Sequence, residues 1–180
     1  MKLLILIFCP LACLLQTVPA IPRGEVVTAT LISAEDGLLP GTKATLGLQL
    51  EIADHWHTYW RNPGDSGFPP SLAWDLPAGF QAGALAYPAP TRFTTAGSAG
   101  FGYEHEVIHV FELSIPPGAE PGSRVILKAK ARWLACDPLQ CFPGEASLEI
   151  SLPVKATPKE ISDTSHAPKM HAAAPPKRIP

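Results

Sequence analysis

Two cysteines near the C-terminal end of the regular sequence, Cys136 and Cys141, are the residues best placed to do chemistry. They bracket Asp137-Pro138-Leu139-Gln140, a four-residue stretch that suits a type I turn, with Asp favoured at its first position and Pro pre-setting φ at its second. On the N-terminal side Val125, Leu127, Ala129, Ala131 and Trp133 alternate with Arg124, Lys128, Lys130 and Arg132. On the C-terminal side Ala146, Leu148, Ile150 and Leu152 alternate with Glu145, Ser147, Glu149 and Ser151. A period of two marks a half-buried strand, so the pair sits at the mouth of a predicted antiparallel hairpin. Directly opposed residues there lie roughly 4.5–5.5 Å apart at Cα, a separation a disulfide tolerates.

Parity carries Cys136 onto the face of Lys130 and Arg132, and Cys141 onto the face of Glu145 and Ser147. Both sulfurs are therefore expected on the outer, polar side of the sheet, unless Phe142-Pro143-Gly144 shifts the register by one. A disulfide closing so short a loop stabilises by only about 2 kcal/mol in the chain-entropy model. A structural staple is better spent across a long loop, whereas thiol exchange needs a sulfur that an attacking thiolate can reach in line. Spacing alone leaves staple and exchange both open. Asp137 and Glu145 flank the pair and would oppose thiolate formation, with Arg132 two positions further along the same face and too far to offset them. Sluggish reactivity toward small reagents follows.

The elements that must hold the hairpin are read as strands. The chain has 180 residues, 46% hydrophobic and 17% charged, with net charge −2, which suits one globular domain and gives no basic patch for nucleic acid. Abundant Pro (21) and Gly (14), together with the lack of long helix-forming runs, point to an all-β domain rich in turns. Strands are predicted at 25–34, 43–53, 71–74, 79–86, 106–115 and along both arms of the hairpin. Residues 43–53 carry the clearest alternation, and residues 54–60 form an aromatic-rich continuation. Residues 62–70 and 88–102 read as loops. Seven or eight short strands with turns between them predict an antiparallel β-sandwich of immunoglobulin type, closed by the cysteine-bearing hairpin. Trp56, Tyr59, Trp60, Trp74 and Trp133 are expected in its core.

Residues 1–20 read as a secretory signal: Lys2, an apolar run from Leu3 to Leu15, then Val18-Pro19-Ala20 before a start near Ile21. Cys9 and Cys13 leave with it. Residues 21–154 form the predicted domain, and 155–180 a Pro/Ala/Lys-rich tail or linker without periodicity. No apolar run of about 20 residues is present to span a membrane.

Other constellations are weaker. Gly64-Asp65-Ser66-Gly67 copies the core of a serine-protease motif, but the chain is too short for the double barrel and a tight turn explains it. His55 and His57 would share one face of a strand, roughly 6.6 Å apart, close enough to chelate a metal, while packing explains them as well. His105 and His109, about 13 Å apart on a strand, cannot share an ion. No metal or cofactor is expected.

Several segments taken together resemble a known family: His55 through Gly67 (HWHTYWRNPGDSG), Trp74-Asp75-Leu76-Pro77, Tyr87-Pro88-Ala89-Pro90, Phe101 through Val107 (FGYEHEV), and Arg132 through Cys141. In that order they resemble the periplasmic N-terminal domain of DsbD-type thiol:disulfide interchange proteins, in particular the ScsB-like branch. The resemblance implies an immunoglobulin-like fold whose cysteine pair, here Cys136 and Cys141, takes electrons from a membrane-embedded thiol reductase domain. It then passes them to thioredoxin-like periplasmic proteins. It implies a cap loop within residues 93–103, with Phe101 or Tyr103 as the shielding ring, and brings His57 and Tyr59 near the pair. The C-x4-C spacing leaves the reactive geometry open, and the membrane and thioredoxin domains of longer family members are absent from this sequence. The rival reading is a non-catalytic immunoglobulin-like binding module, metal-handling or chaperone-like, with an inert disulfide.

Overall fold

The computed structural model describes residues 26–95 and 97–156, so the expected signal segment and all of the tail beyond Ala156 lie outside the described residues. Ten strands form, and no helix occurs among the described residues. One sheet has the order β1 (Val27–Ser33), β2 (Lys43–Ile52), β8 (Glu106–Ser114), β5 (Gln81–Ala82). The second has the order β10 (Cys141–Pro153), β9 (Arg124–Cys136), β4 (Ser71–Asp75). A third, small sheet has the order β3 (Thr58–Gly64), β7 (Ser98–Tyr103), β6 (Thr91–Thr95). All strand pairs within the sheets are antiparallel.

The first two sheets make the sandwich that the alternation predicts. Leu46, Leu48 and Leu50 of β2, with Val107, Phe111 and Leu113 of β8, turn inward and are buried. They meet Leu127, Ala129, Ala131 and Trp133 from β9. With no helix among the described residues to cover them, the period-two strands bury their apolar face by packing on another sheet, and this assembles the layers. One side is closed by Leu38, whose amide donates to the Pro153 carbonyl at 2.8 Å and whose carbonyl accepts from Lys155 at 2.8 Å.

The hairpin pairs without a break from Cys141↔Cys136 to Pro153↔Arg124, so Phe142-Pro143-Gly144 introduces no register shift. Gly144 lies opposite Trp133, where any Cβ would strike the indole.

Three segments differ from what the sequence predicts. Residues 88–102 are not one loop: 91–95 and 98–103 form the β6–β7 hairpin. The strand expected at 79–86 shrinks to Gln81–Ala82, and β3 runs on to Gly64 through part of the expected 62–70 loop. The β6–β7 hairpin escapes a period count because Gly100 and Gly102 contribute no side chains. Their bareness makes room for Phe93, since a Cβ on either would meet its ring.

Candidate functional site

β9 carries the site at its last residue. Cys136 is flanked on one edge by Cys141 of β10 and on the other by His57, just ahead of β3. The His57 amide donates to the Cys136 carbonyl at 2.9 Å, and the Cys136 amide donates to the His57 carbonyl at 3.0 Å. Both backbone groups of Cys136 are thus spent on His57. Cys136 and Cys141 accordingly form a non-hydrogen-bonded pair, the geometry in which opposed side chains come closest. Their Cα atoms are 4.1 Å apart and the sulfurs are joined as a disulfide.

The turn between them is held from within. Asp137 Oδ1 accepts from the Leu139 and Gln140 amides at 2.7 and 2.8 Å, and the Asp137 amide donates to the Gln140 carbonyl at 2.9 Å. This projects Leu139, 93% exposed, into solvent. Burial pulls the Asp137 carboxyl pKa upward, but those amide donors, the Gln140 side chain and nearby His57 together hold it below the ordinary value. Glu145 does not stand unpaired beside the sulfurs. Lys130 at 2.6 Å and Arg132 at 2.9 Å hold its carboxylate, so Arg132 offsets the charge it was expected to miss.

The expectation that both sulfurs lie outside needs correction. The pair does share the face of Arg132 and Glu145, and Cys141 is exposed there. Cys136, however, has 0% exposure. The third sheet lies over that end of β9 and turns an outer-face position into a buried one.

The covering residues make a polar contact with sulfur. The Tyr59 hydroxyl donates to Cys136 Sγ at 3.1 Å, and His57 Nε2 lies 3.3 Å from the same hydroxyl oxygen. Phe93 of β6 packs on His57 with ring centroids 4.0 Å apart and meets Tyr59 edge-on at 5.9 Å. His57 and Tyr59 are both buried. Burial lowers the imidazole pKa of His57, against the pull of the Glu104 and Asp137 carboxylates. Burial raises the Tyr59 phenol, with a Ser66 hydrogen bond acting the other way, so the phenol keeps its proton as a donor.

The Gly64–Gly67 stretch is a turn with φ of +101° at Gly64 and +100° at Gly67. Any Cβ at Gly67 would run into the Tyr59 ring. Gly67 of the protease-like motif therefore lets this turn lie against the phenol ring, while Gly64 lets it approach the backbone of Ala99 on β7.

The cap residues fall elsewhere than expected. Tyr103 is buried in the sandwich core, its ring edge-on to His109 at 5.2 Å and its hydroxyl donating to the Pro88 carbonyl. Phe101 is half-buried on β7 opposite Arg92 and makes no ring contact among the described residues. The ring that reaches the site is Phe93, the first residue of the expected cap stretch, rather than Phe101 or Tyr103. Its signal was an aromatic facing a Gly-x-Gly across a tight turn.

His55 and His57 do not share a strand face. β3 begins only at Thr58, and His55 is exposed with left-handed backbone at φ +71°. Among the described residues no group of three or more His, Cys, Asp or Glu side chains is arranged to hold a metal ion.

Residues 28–153 match the family model described as thiol:disulfide interchange protein DsbD, N-terminal. Among solved structures, the N-terminal periplasmic domain of ScsB from Proteus mirabilis aligns with TM-score 0.53 at 24% identity, covering 79% of this chain and 53% of that one. The chain thus spans about half the length of that domain. The N-terminal domain of Neisseria meningitidis DsbD in its reduced form aligns with TM-score 0.42 at 14% identity, covering 74% of this chain and 90% of that one. No curated protein matches the sequence. With a match running from β1 through β10 and a cysteine pair joined at the hairpin mouth, the chain belongs to the DsbD N-terminal domain family.

Proposed function

We propose that this domain works in the periplasm, accepting electrons from a membrane-embedded thiol reductase domain and passing them to thioredoxin-like proteins, with Cys141 as the sulfur that partners meet. The observation that carries the reading is the unequal exposure of the two sulfurs: Cys141 is open at the hairpin mouth, and Cys136 has 0% exposure. A thiolate must approach along the S–S axis from the side of the sulfur it attacks. Only Cys141 offers that approach to a folded protein.

Chemically, a partner thiolate attacks Cys141 Sγ, the new S–S bond forms there, and the bonding pair of the old disulfide stays on Cys136 Sγ. A second partner thiolate, or Cys136 in the reverse direction, resolves the mixed disulfide. The domain is a two-electron carrier and needs no cofactor for this step. Leu139, projecting beside Cys141, supplies an apolar contact for the docked protein.

The test is a pair of trapping variants expressed in the periplasm with thioredoxin-like proteins present. Cys136→Ser leaves Cys141 free to form a mixed disulfide that Cys136 can no longer resolve, and with the partner's second cysteine also replaced by Ser a covalent complex should accumulate. Cys141→Ser should trap little, because Cys136 is covered. Failure of both variants to trap any protein would leave an inert disulfide in a binding module and sink the relay reading.

A further inference from the structure

We propose that His57 is a positioning residue that supplies and recovers, through the Tyr59 hydroxyl, the proton of the buried Cys136 thiol during exchange. The inference rests on the exchange reading above but concerns a step inside this chain. Its geometry is a continuous contact from His57 Nε2 to the Tyr59 hydroxyl (3.3 Å) and from that hydroxyl to Cys136 Sγ (3.1 Å).

The phenol has one proton. With it directed at sulfur, the phenol oxygen is left to accept, so His57 presents Nε2–H to it. The ring is held for this task. Its backbone is bridged to Cys136 by two hydrogen bonds, and Phe93 lies on its ring at 4.0 Å, so the imidazole is fixed against the phenol.

Breaking the disulfide creates the need. When a partner thiolate bonds to Cys141 Sγ, Cys136 Sγ leaves with the electron pair as a thiolate in a site with no exposure. A buried anion is costly unless it is hydrogen-bonded and neutralised. Tyr59 is the group in hydrogen-bond contact with it, and an anion there favours the charged form of the neighbouring imidazole. His57 then takes a proton from solvent, Nε2–H passes to the phenol oxygen, and the phenol proton passes to sulfur. The products are a neutral thiol, a neutral phenol and a neutral imidazole, with one proton consumed from water. In the reverse direction the same proton returns to solvent before Cys136 attacks the mixed disulfide.

The charged groups acting on His57 are the Glu104 carboxylate, between β7 and β8, and the Asp137 carboxylate, at the end of β9. Both favour the imidazolium. Tyr59 from β3 and Phe93 from β6 face it without charge.

The experiment measures reduction of the Cys136–Cys141 bond by dithiothreitol between pH 5 and 8, in the wild type and in His57→Phe, Tyr59→Phe and the double variant. Dithiothreitol's own ionisation cancels in the ratio of wild type to variant. Each single variant should be slower by about a hundredfold at pH 5, with the ratio falling to about one at pH 8, as expected for a lost general acid. The double variant should be no slower than either single one. His57→Gln, which keeps an N–H donor but cannot titrate, should behave like His57→Phe and covers the case in which the phenylalanine variant folds poorly. A ratio that is flat with pH, or a His57→Gln profile matching the wild type, would overturn the proposal. Because no protein partner enters, this outcome is separate from the trapping result: loss of trapping with a pH-dependent ratio would remove the exchange partners and leave the proton path standing.

Discussion

Phe93→Ala tests whether the third sheet is what covers Cys136. The ring is half-buried, packs on His57 at 4.0 Å and on Tyr59 at 5.9 Å, and lies across Gly100 and Gly102. Full burial of such a side chain is worth about 1.5–3 kcal/mol, so half-burial contributes about 1 kcal/mol. The two aromatic contacts add about another 1 kcal/mol together. β6 is an edge strand paired only with β7, so the roughly 2 kcal/mol lost falls largely on the opening of β6 away from His57. At about 1.4 kcal/mol per factor of ten, open forms become about thirtyfold more frequent. The assay is alkylation of Cys136 by iodoacetamide in reduced Cys141→Ser protein, normalised to the rate in denaturant. The wild-type ring should give strong protection, and Phe93→Ala should alkylate about thirtyfold faster. A rise of less than about threefold would mean that something other than Phe93 and its strand shields the sulfur, and the account of the buried cysteine would be wrong.

Two further outcomes follow from the same structure. His109 is fully buried between the Tyr87 and Tyr103 rings, with Nδ1 3.3 Å from the Ala86 carbonyl, and burial pushes its imidazole down to about 4 from 6.5. Its unfolded form binds a proton first, so the stability it contributes is complete above about pH 6.5 and declines as pH falls toward 4. The slope is about 1.4 kcal/mol per pH unit and the total about 3 kcal/mol. Urea unfolding at pH 7, 6, 5 and 4.5 should fall more steeply in the wild type than in His109→Phe by about that slope; parallel curves would refute the assignment. Reducing the disulfide opens a loop of sequence separation 5 and should cost only about 2 kcal/mol, or about 7 °C in the thermal midpoint of a domain this size. Calorimetry of oxidised and reduced protein measures this, and a loss of about 5 kcal/mol would mark the bond as a staple rather than an exchange pair.

Much of this protein was legible from local pattern. The alternation in β2, β8, β9 and β10 required two packed antiparallel sheets, because each strand has one apolar face to bury. Asp137-Pro138 set the turn, and period-two parity placed both cysteines on the face of Arg132 and Glu145. These are consequences of spacing along the chain, so one sequence carries them. Which sulfur is open was decided only in three dimensions. Cys136 holds an outer-face position, yet it is buried by His57, by Tyr59, 77 residues away, and by the β6–β7 hairpin, whose glycines leave no period to read. Parity assigns a residue to a face of its own sheet. Whether another layer crosses that face depends on contacts between distant segments, and here those contacts separate the sulfur a partner can meet from the sulfur the domain keeps to itself.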